Sequence, residues 1–197
     1  YDVYAFSARF VQDYALKHFN VSGPVINPSI NTKLFDGGIN WDDRDNSFMA
    51  LSYKQETLIL MKRLKELYAE QYPGEEFPIT LYGKLNQQQL AETMGRHKYY
   101  ISLSPLEGFG LPLLEAMASG CAVAGFHACG GLEYSDKGKD SLLSDYPDLA
   151  NVAHSIKELM TNPGLARALA KAAHSRSRYF SQSRFDDEWV ECLKGYI

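Results

Sequence analysis

Residues 98–126 read KYYISL, then SPLEGFGLPLLEAMASG, then CAVAGF: an apolar strand, a glycine-rich bend opening a short helix, and a second apolar strand. No other stretch constrains the fold as tightly, because unbroken apolar strands joined through a helix favour a parallel sheet covered on both faces. Leu111–Pro112 starts the helix, since proline suits the first helical position, where its missing donor costs nothing. Gly120 is the expected stop, in the left-handed position past the last turn. Gly108 and Gly110 leave backbone N–H groups uncovered and tolerate positive φ. Free donors at a helix start favour an anion. Glu107 falls in the loop and Glu115 on the helix, so the two acids can hold opposite ends of one ligand with a phosphate between them.

The remaining chain alternates in the same way. Ser7 is expected to cap a helix running to about Phe19, with Phe6, Phe10, Tyr14 and Phe19 as its apolar stripe. Gly23–Pro24 breaks it, VINPSI is extended, and FDGGINWDDRDNS reads as a polar surface loop. FMALSY predicts a strand. A helix follows from Glu56 to about Gln71, with Leu58, Met61, Leu64 and Tyr68 near one face. FPITLYG is the next strand, and Asn86 caps the helix QQQLAETMGR. From about Asp148 onward the pattern is all helix, in three segments. The fold class is therefore α/β: a Rossmann-like parallel sheet with helices on both faces and a helical C-terminal tail. In such sheets ligands sit beyond the carboxyl ends of the strands. The loops after Tyr53, Tyr82, Leu103 and Phe126 should then surround one cleft.

Composition narrows the partners. The 197 residues carry a net charge of −4, which gives no overall pull towards nucleic acid. No apolar run approaches the ~20 residues of a membrane span, and no secretory signal is visible. Cys121, Cys129 and Cys192 lack zinc or redox spacing and read as reduced core or loop thiols. No Asp-x-Asp pair or histidine cluster calls for a metal or other cofactor. These features imply a cytoplasmic protein. The chain begins at Tyr1, in a strand-like stretch without a methionine, which suggests a piece of something longer.

With these residues in place, the chain resembles the C-terminal, donor-binding half of GT-B fold glycosyltransferases, most closely glycosyltransferase family four. SPLEGFGLPLLEAMASGCAV is similar to the family's most recognisable stretch, and VINPSINTKLF to its entry into the second domain. CGGLEY resembles its Gly-Gly-x-x-Glu element, one residue shorter, and the tail from LANVAHSIKELMTNP to FSQSRFDDEW its closing helices. YAFSARFVQDYAL looks like the end of an N-terminal domain. The resemblance implies three parts: 1–21 as the end of an N-terminal domain or a linker helix, 22–180 as the nucleotide-sugar-binding domain, and 181–197 as a helix docking on the N-terminal domain.

The implied activity is retaining, hexosyl-type transfer from a nucleotide diphosphate sugar to the hydroxyl of a glycan or lipid-linked saccharide held by the N-terminal domain. Glu115 would hold the ribose and Glu107 would face the donor sugar. The N–H groups of Gly108, Phe109 and Gly110, with Leu111 beyond them, would bind sugar hydroxyls and the distal phosphate. Lys54 in SYKQET matches the family's phosphate-binding lysine, but no arginine stands just before it. That gap keeps a second reading open, a nucleotide-sugar-binding module without activity of its own or an accessory subunit to a separate catalytic chain. A dinucleotide-dependent dehydrogenase fails, since no GxGxxG follows a strand with an acid about 20 positions on.

Other residues divide between site and scaffold. Tyr82, Gly83 and Lys84 sit at a strand end where a base can stack, although aromatic residues there are more often core. Glu133 either nears the sugar or caps a turn, and His127 is more often structural than chemical. Arg167, Lys171, Arg176, Arg178 and Arg184 read as a solvated helical face, with contact to an anionic inner membrane surface as the sharper alternative. Phe10 and Trp189 mark an expected apolar patch where another domain would dock.

Overall fold

The strand that places the first half of the site is Asp45–Leu51 (β1), whose second half is buried on both sides. The computed structural model describes residues 4–195. The expected strand-like opening falls largely on residues 1–3, outside the described residues, as do the last two of 181–197. Beside β1 stand Ile79–Tyr82 (β2), His97–Ser102 (β3), Ala122–Phe126 (β4) and Leu142–Ser144 (β5), all parallel, in the order β2-β1-β3-β4-β5.

Side chains alternate across this sheet. Met49, Tyr100 and Val123 face one core with the helices Gln87–Arg96 (α3) and Leu111–Ala118 (α4). Phe48, Ala50, Tyr99 and Ile101 face the other with Gln55–Gln71 (α2) and Leu149–Thr161 (α5). Pro163–Ser177 (α6) joins the two cores, giving Ala173 to the first and Leu169 to the second. Thus the expected Rossmann-like fold is present, with helices on both faces. Asn86 caps α3 reciprocally with Gln89, at 2.9 and 3.1 Å.

Several expectations are corrected. The first helix, Arg9–Phe19 (α1), has Ala8 and not Ser7 at its N-cap, and Ser7 Oγ instead reaches the carbonyl of Gly108 at 3.5 Å. Phe6 lies outside that helix, paired with Val25, while Tyr14 and Phe19 are 58% and 68% exposed. In α2 the buried threonine Thr57 takes the inward position and Leu58 is exposed. The expected loop 35–47 is interrupted by a 3-10 turn, Trp41–Asp43, gives its last three residues to β1, and buries Arg44. Strand β5 and the 3-10 turn Gly130–Glu133 went unanticipated, each being too short to show a period.

Gln182–Lys194 (α7) and α1 are each tied to the rest of the chain through their first turns. Arg184 donates to the carbonyls of Asn27 at 2.7 Å and Pro28 at 3.2 Å, and the Arg9 N–H donates to Glu133. Phe10 is half-buried against the core, and Trp189 is half-buried beside Phe185. The exposed apolar residues of the two helices are instead Tyr14, Leu16, Phe19, Val190 and Leu193.

Candidate functional site

The strand order reverses between β1 and β3, with β2 on one side and β4 and β5 on the other. A crevice opens at such a reversal, beyond the carboxyl ends of the two strands. Its walls are the loop after β1, ending at Lys54 where α2 begins, and the loop from Leu103 to Gly110 before α4. The first cavity there is lined by Lys54, Ser104, Glu107, Gly110, His127 and Tyr134, among others. Gly83 and Lys84 line an adjoining hollow that shares Leu51, Tyr53 and Pro112 with it. Tyr82 itself takes the scaffold role, its hydroxyl 3.0 Å from His97 Nε2.

Lys54 and Glu107 form an ion pair in this crevice. Ser104 links them, donating to Glu107 Oε1 at 2.7 Å and accepting from Lys54 Nζ at 3.3 Å. Partial burial opposes the lysine's charge, but the hydrogen bond and attraction of Glu107 outweigh it and raise the Lys54 pKa. Ser104 was not among the sequence candidates; its place three residues before Glu107 was the signal available.

The loop then delivers donors. Among the described residues, the N–H groups of Gly108, Phe109, Gly110 and Leu111 make no hydrogen bond within the chain. Gly110 has φ 87°, the left-handed conformation expected of it, and its carbonyl accepts from Tyr134 Oη at 2.6 Å. Gly108 does not use positive φ. Phe109 contributes only its backbone: its ring is buried against Tyr134 and Phe180, at centroid distances of 5.1 and 5.9 Å. Pro112 stands in the first turn of α4, as expected, and Gly120 ends the helix region at φ 74°.

Glu115 lies on α4, only 7% exposed, and is not one of the residues lining the first cavity. Burial pushes its pKa up to about 7. Among the described residues its side chain has no hydrogen-bond partner inside the chain, although its oxygens are not sealed from solvent. Glu107 and Glu115 both act electrostatically on the buried hydroxyls of Tyr100 and Tyr134, whose pKa values are raised chiefly by burial.

Arg44 does not supply the absent phosphate-binding arginine. It precedes β1, at the opposite end of the sheet, where it donates to Gly37 O at 2.8 Å, Ile39 O at 3.0 Å and Gly120 O at 3.1 Å. That guanidinium holds the end of α4 away from the site.

Glu133 takes the capping role at α1, accepting from Arg9 N–H and from Asn27 Nδ2 at 3.4 Å. Most of the basic run is held internally. Arg167 pairs with Asp42, Arg176 with Asp140, Arg184 with Glu188, and Arg178 donates to Thr32 O at 2.6 Å. Arg167, Lys171, Arg176 and Arg178 are all exposed, as a solvated helical face requires. Cys121 is a core thiol raised to about 12 by burial, and Cys129 sits in a loop, half-buried. Among the described residues no group of three His, Cys, Asp or Glu is placed to hold a metal, and no helix is long and apolar enough to cross a membrane.

Comparison with known proteins agrees with this architecture. The family model for glycosyl transferases group 1 matches residues 61–176, and the chain belongs to that family. The GtfA subunit of UDP-N-acetylglucosamine–peptide N-acetylglucosaminyltransferase from Streptococcus gordonii is 25% identical over 142 residues, covering 68% of this chain and 26% of its own length. The chain thus spans about a quarter of that curated relative. A mutant of S. aureus TarM, solved with fondaparinux, alpha-GlcNAc-glycerol and UDP, superposes with a TM-score of 0.80 at 16% identity, over 98% of this chain and 44% of its own. The C-terminal domain of the Francisella tularensis group 1 protein LpcC gives a TM-score of 0.61 at 18% identity, over 76% of this chain and 96% of its own. The fold is that of the C-terminal half of a GT-B glycosyltransferase.

Proposed function

We propose that this chain is the donor-binding half of a retaining glycosyltransferase that moves a sugar from a nucleotide diphosphate sugar to a hydroxyl acceptor on a glycan, glycolipid or polysaccharide. One observation carries the reading: four successive unpartnered N–H groups, Gly108 to Leu111, open α4 beside the Lys54–Glu107 pair. Such a row is a diphosphate site. The similarity to a UDP-N-acetylglucosamine-dependent GtfA subunit and to TarM solved with UDP favours uridine diphosphate as the carrier.

In this reading Glu115 accepts from the ribose hydroxyls, each charge-assisted bond being worth roughly 1.5–3 kcal/mol. Lys54 leaves Glu107 to neutralise the departing diphosphate, while Glu107 turns to the donor sugar. Gly83 and Lys84 border the base and ribose, and no metal is required. The acceptor arrives from a facing N-terminal domain, on which 181–197 would dock while 1–21 links the two halves.

A second reading, a nucleotide-sugar-binding module without activity, is favoured by a specific fact. Lys54 is held by a carboxylate, and the nearest upstream arginine, Arg44, is committed to the far end of α4. Calorimetric titration of UDP, uridine and several UDP-sugars onto the wild type and Glu115→Ala tests the shared core of both readings. UDP should bind far better than uridine, and Glu115→Ala should weaken every ligand carrying the ribose by about tenfold. Equal binding of all ligands to both proteins would refute the ribose assignment.

A further inference from the structure

His127 and Asp145 form a polar pair at the wall of the crevice for which that reading has no task. His127 follows β4 and Asp145 follows β5. The imidazole Nε2 is 2.6 Å from Asp145 Oδ1, and its Nδ1 accepts the N–H of Cys129 at 3.1 Å. With Nδ1 taken up as an acceptor, the hydrogen bridging to Asp145 sits on Nε2. A side-chain acceptor bonded to the N–H two residues on folds the backbone into a tight turn.

The turn is strained. Ala128 and Cys129 have φ of 53° and 63°, left-handed values that non-glycine residues reach only at a cost of about 1 kcal/mol or more each. Such a pair persists only when its surroundings fix it. The glycine loop is laid directly on this turn. Glu107 N–H donates to Ala128 O at 2.9 Å, and Gly130 N–H reaches Glu107 O at 3.3 Å. Gly130 also lies so close to Phe109 that an added Cβ would stand 2.5 Å from its backbone.

We infer that His127, oriented by Asp145, is a positioning residue for the glycine loop: its Nδ1 holds the strained turn that sets Glu107 and the Gly108–Gly110 donors in place. The ligand side of this inference rests on the donor-binding reading, whereas the turn itself can be examined without any ligand. His127→Asn puts its Oδ1 where Nδ1 stands and keeps the acceptor for Cys129. His127→Gln extends its amide towards Asp145 and loses that acceptor.

Amide hydrogen exchange, read residue by residue, and calorimetric titration with UDP decide the matter together. His127→Gln should speed exchange at Glu107, Cys129 and Gly130 by about tenfold and weaken UDP binding by a similar factor, while His127→Asn restores both to near wild type. Asp145→Ala, at a solvent-exposed side chain that the fold does not need, should speed exchange at Cys129 by about threefold, providing a test that survives if His127→Gln unfolds. Identical behaviour of the Asn and Gln variants, or no change at Cys129 in Asp145→Ala, overturns the inference. Failure of the wild type to bind UDP refutes the donor-binding reading instead, and leaves the exchange pattern to judge the turn.

Discussion

At the scale of the residue, Glu115 is the group whose environment has the clearest consequence. In the folded chain it keeps its proton up to about pH 7, against 4.5 for the ordinary side chain. Between those values the native state binds more protons than the unfolded state, so stability falls as pH rises through that window and stays reduced above it. Glu115→Gln should therefore raise the unfolding free energy at about pH 8, by on the order of 3 kcal/mol at most, with little effect near pH 4. Denaturant unfolding at the two pH values checks this. A ribose diol, by contrast, donates to the ionised carboxylate, so UDP affinity should rise as pH increases through about 7. An acid that weakens the fold where it is charged fits a residue kept for binding.

At the scale of the element, α4 is anchored at both ends. Its start rests on the 127–131 turn, and its end is held by Arg44. Arg44→Met would leave the carbonyls of Ile39 and Gly120 without their donor and take one of two donors from that of Gly37. The expected loss is about 3 kcal/mol of unfolding free energy, with the calorimetric UDP affinity of the folded protein unchanged because the crevice lies at the other end of the sheet. The start and stop of α4 were legible because Pro112, Gly110 and Gly120 carry strong local signals. Arg44 was not, since DDRDNS is polar throughout and only tertiary contact shows which of its side chains turns inward. The same holds for the tie of Ser104 to Lys54 and for His127 with Asp145, whose partners are distant in sequence or follow a strand of only three residues. Tyr14 and Phe19 mark the opposite failure, an apolar spacing that implied burial and was left exposed.

At the scale of the whole molecule, the strand order β2-β1-β3-β4-β5 puts the one reversal where Lys54 and Glu107 meet. Residues far apart in the chain converge there because parallel strands all present their carboxyl ends to one side. The described residues form a single α/β unit, about a quarter of the length of a curated relative. On the proposed reading they offer one wall of a two-walled site. Residues 1–197 alone should then bind donor weakly and release no UDP from a UDP-sugar in the presence of acceptor glycans, in a coupled assay. Turnover by this chain without a partner would remove that part of the account.

Titration calorimetry of UDP onto wild type and Glu115→Gln at about pH 8 decides whether the start of α4 and the buried acid on it bind a nucleoside diphosphate. The account predicts that the wild type binds and that the glutamine variant, although more stable, binds about tenfold more weakly. Absence of heat from the wild type, or equal affinity in the two proteins, would contradict it.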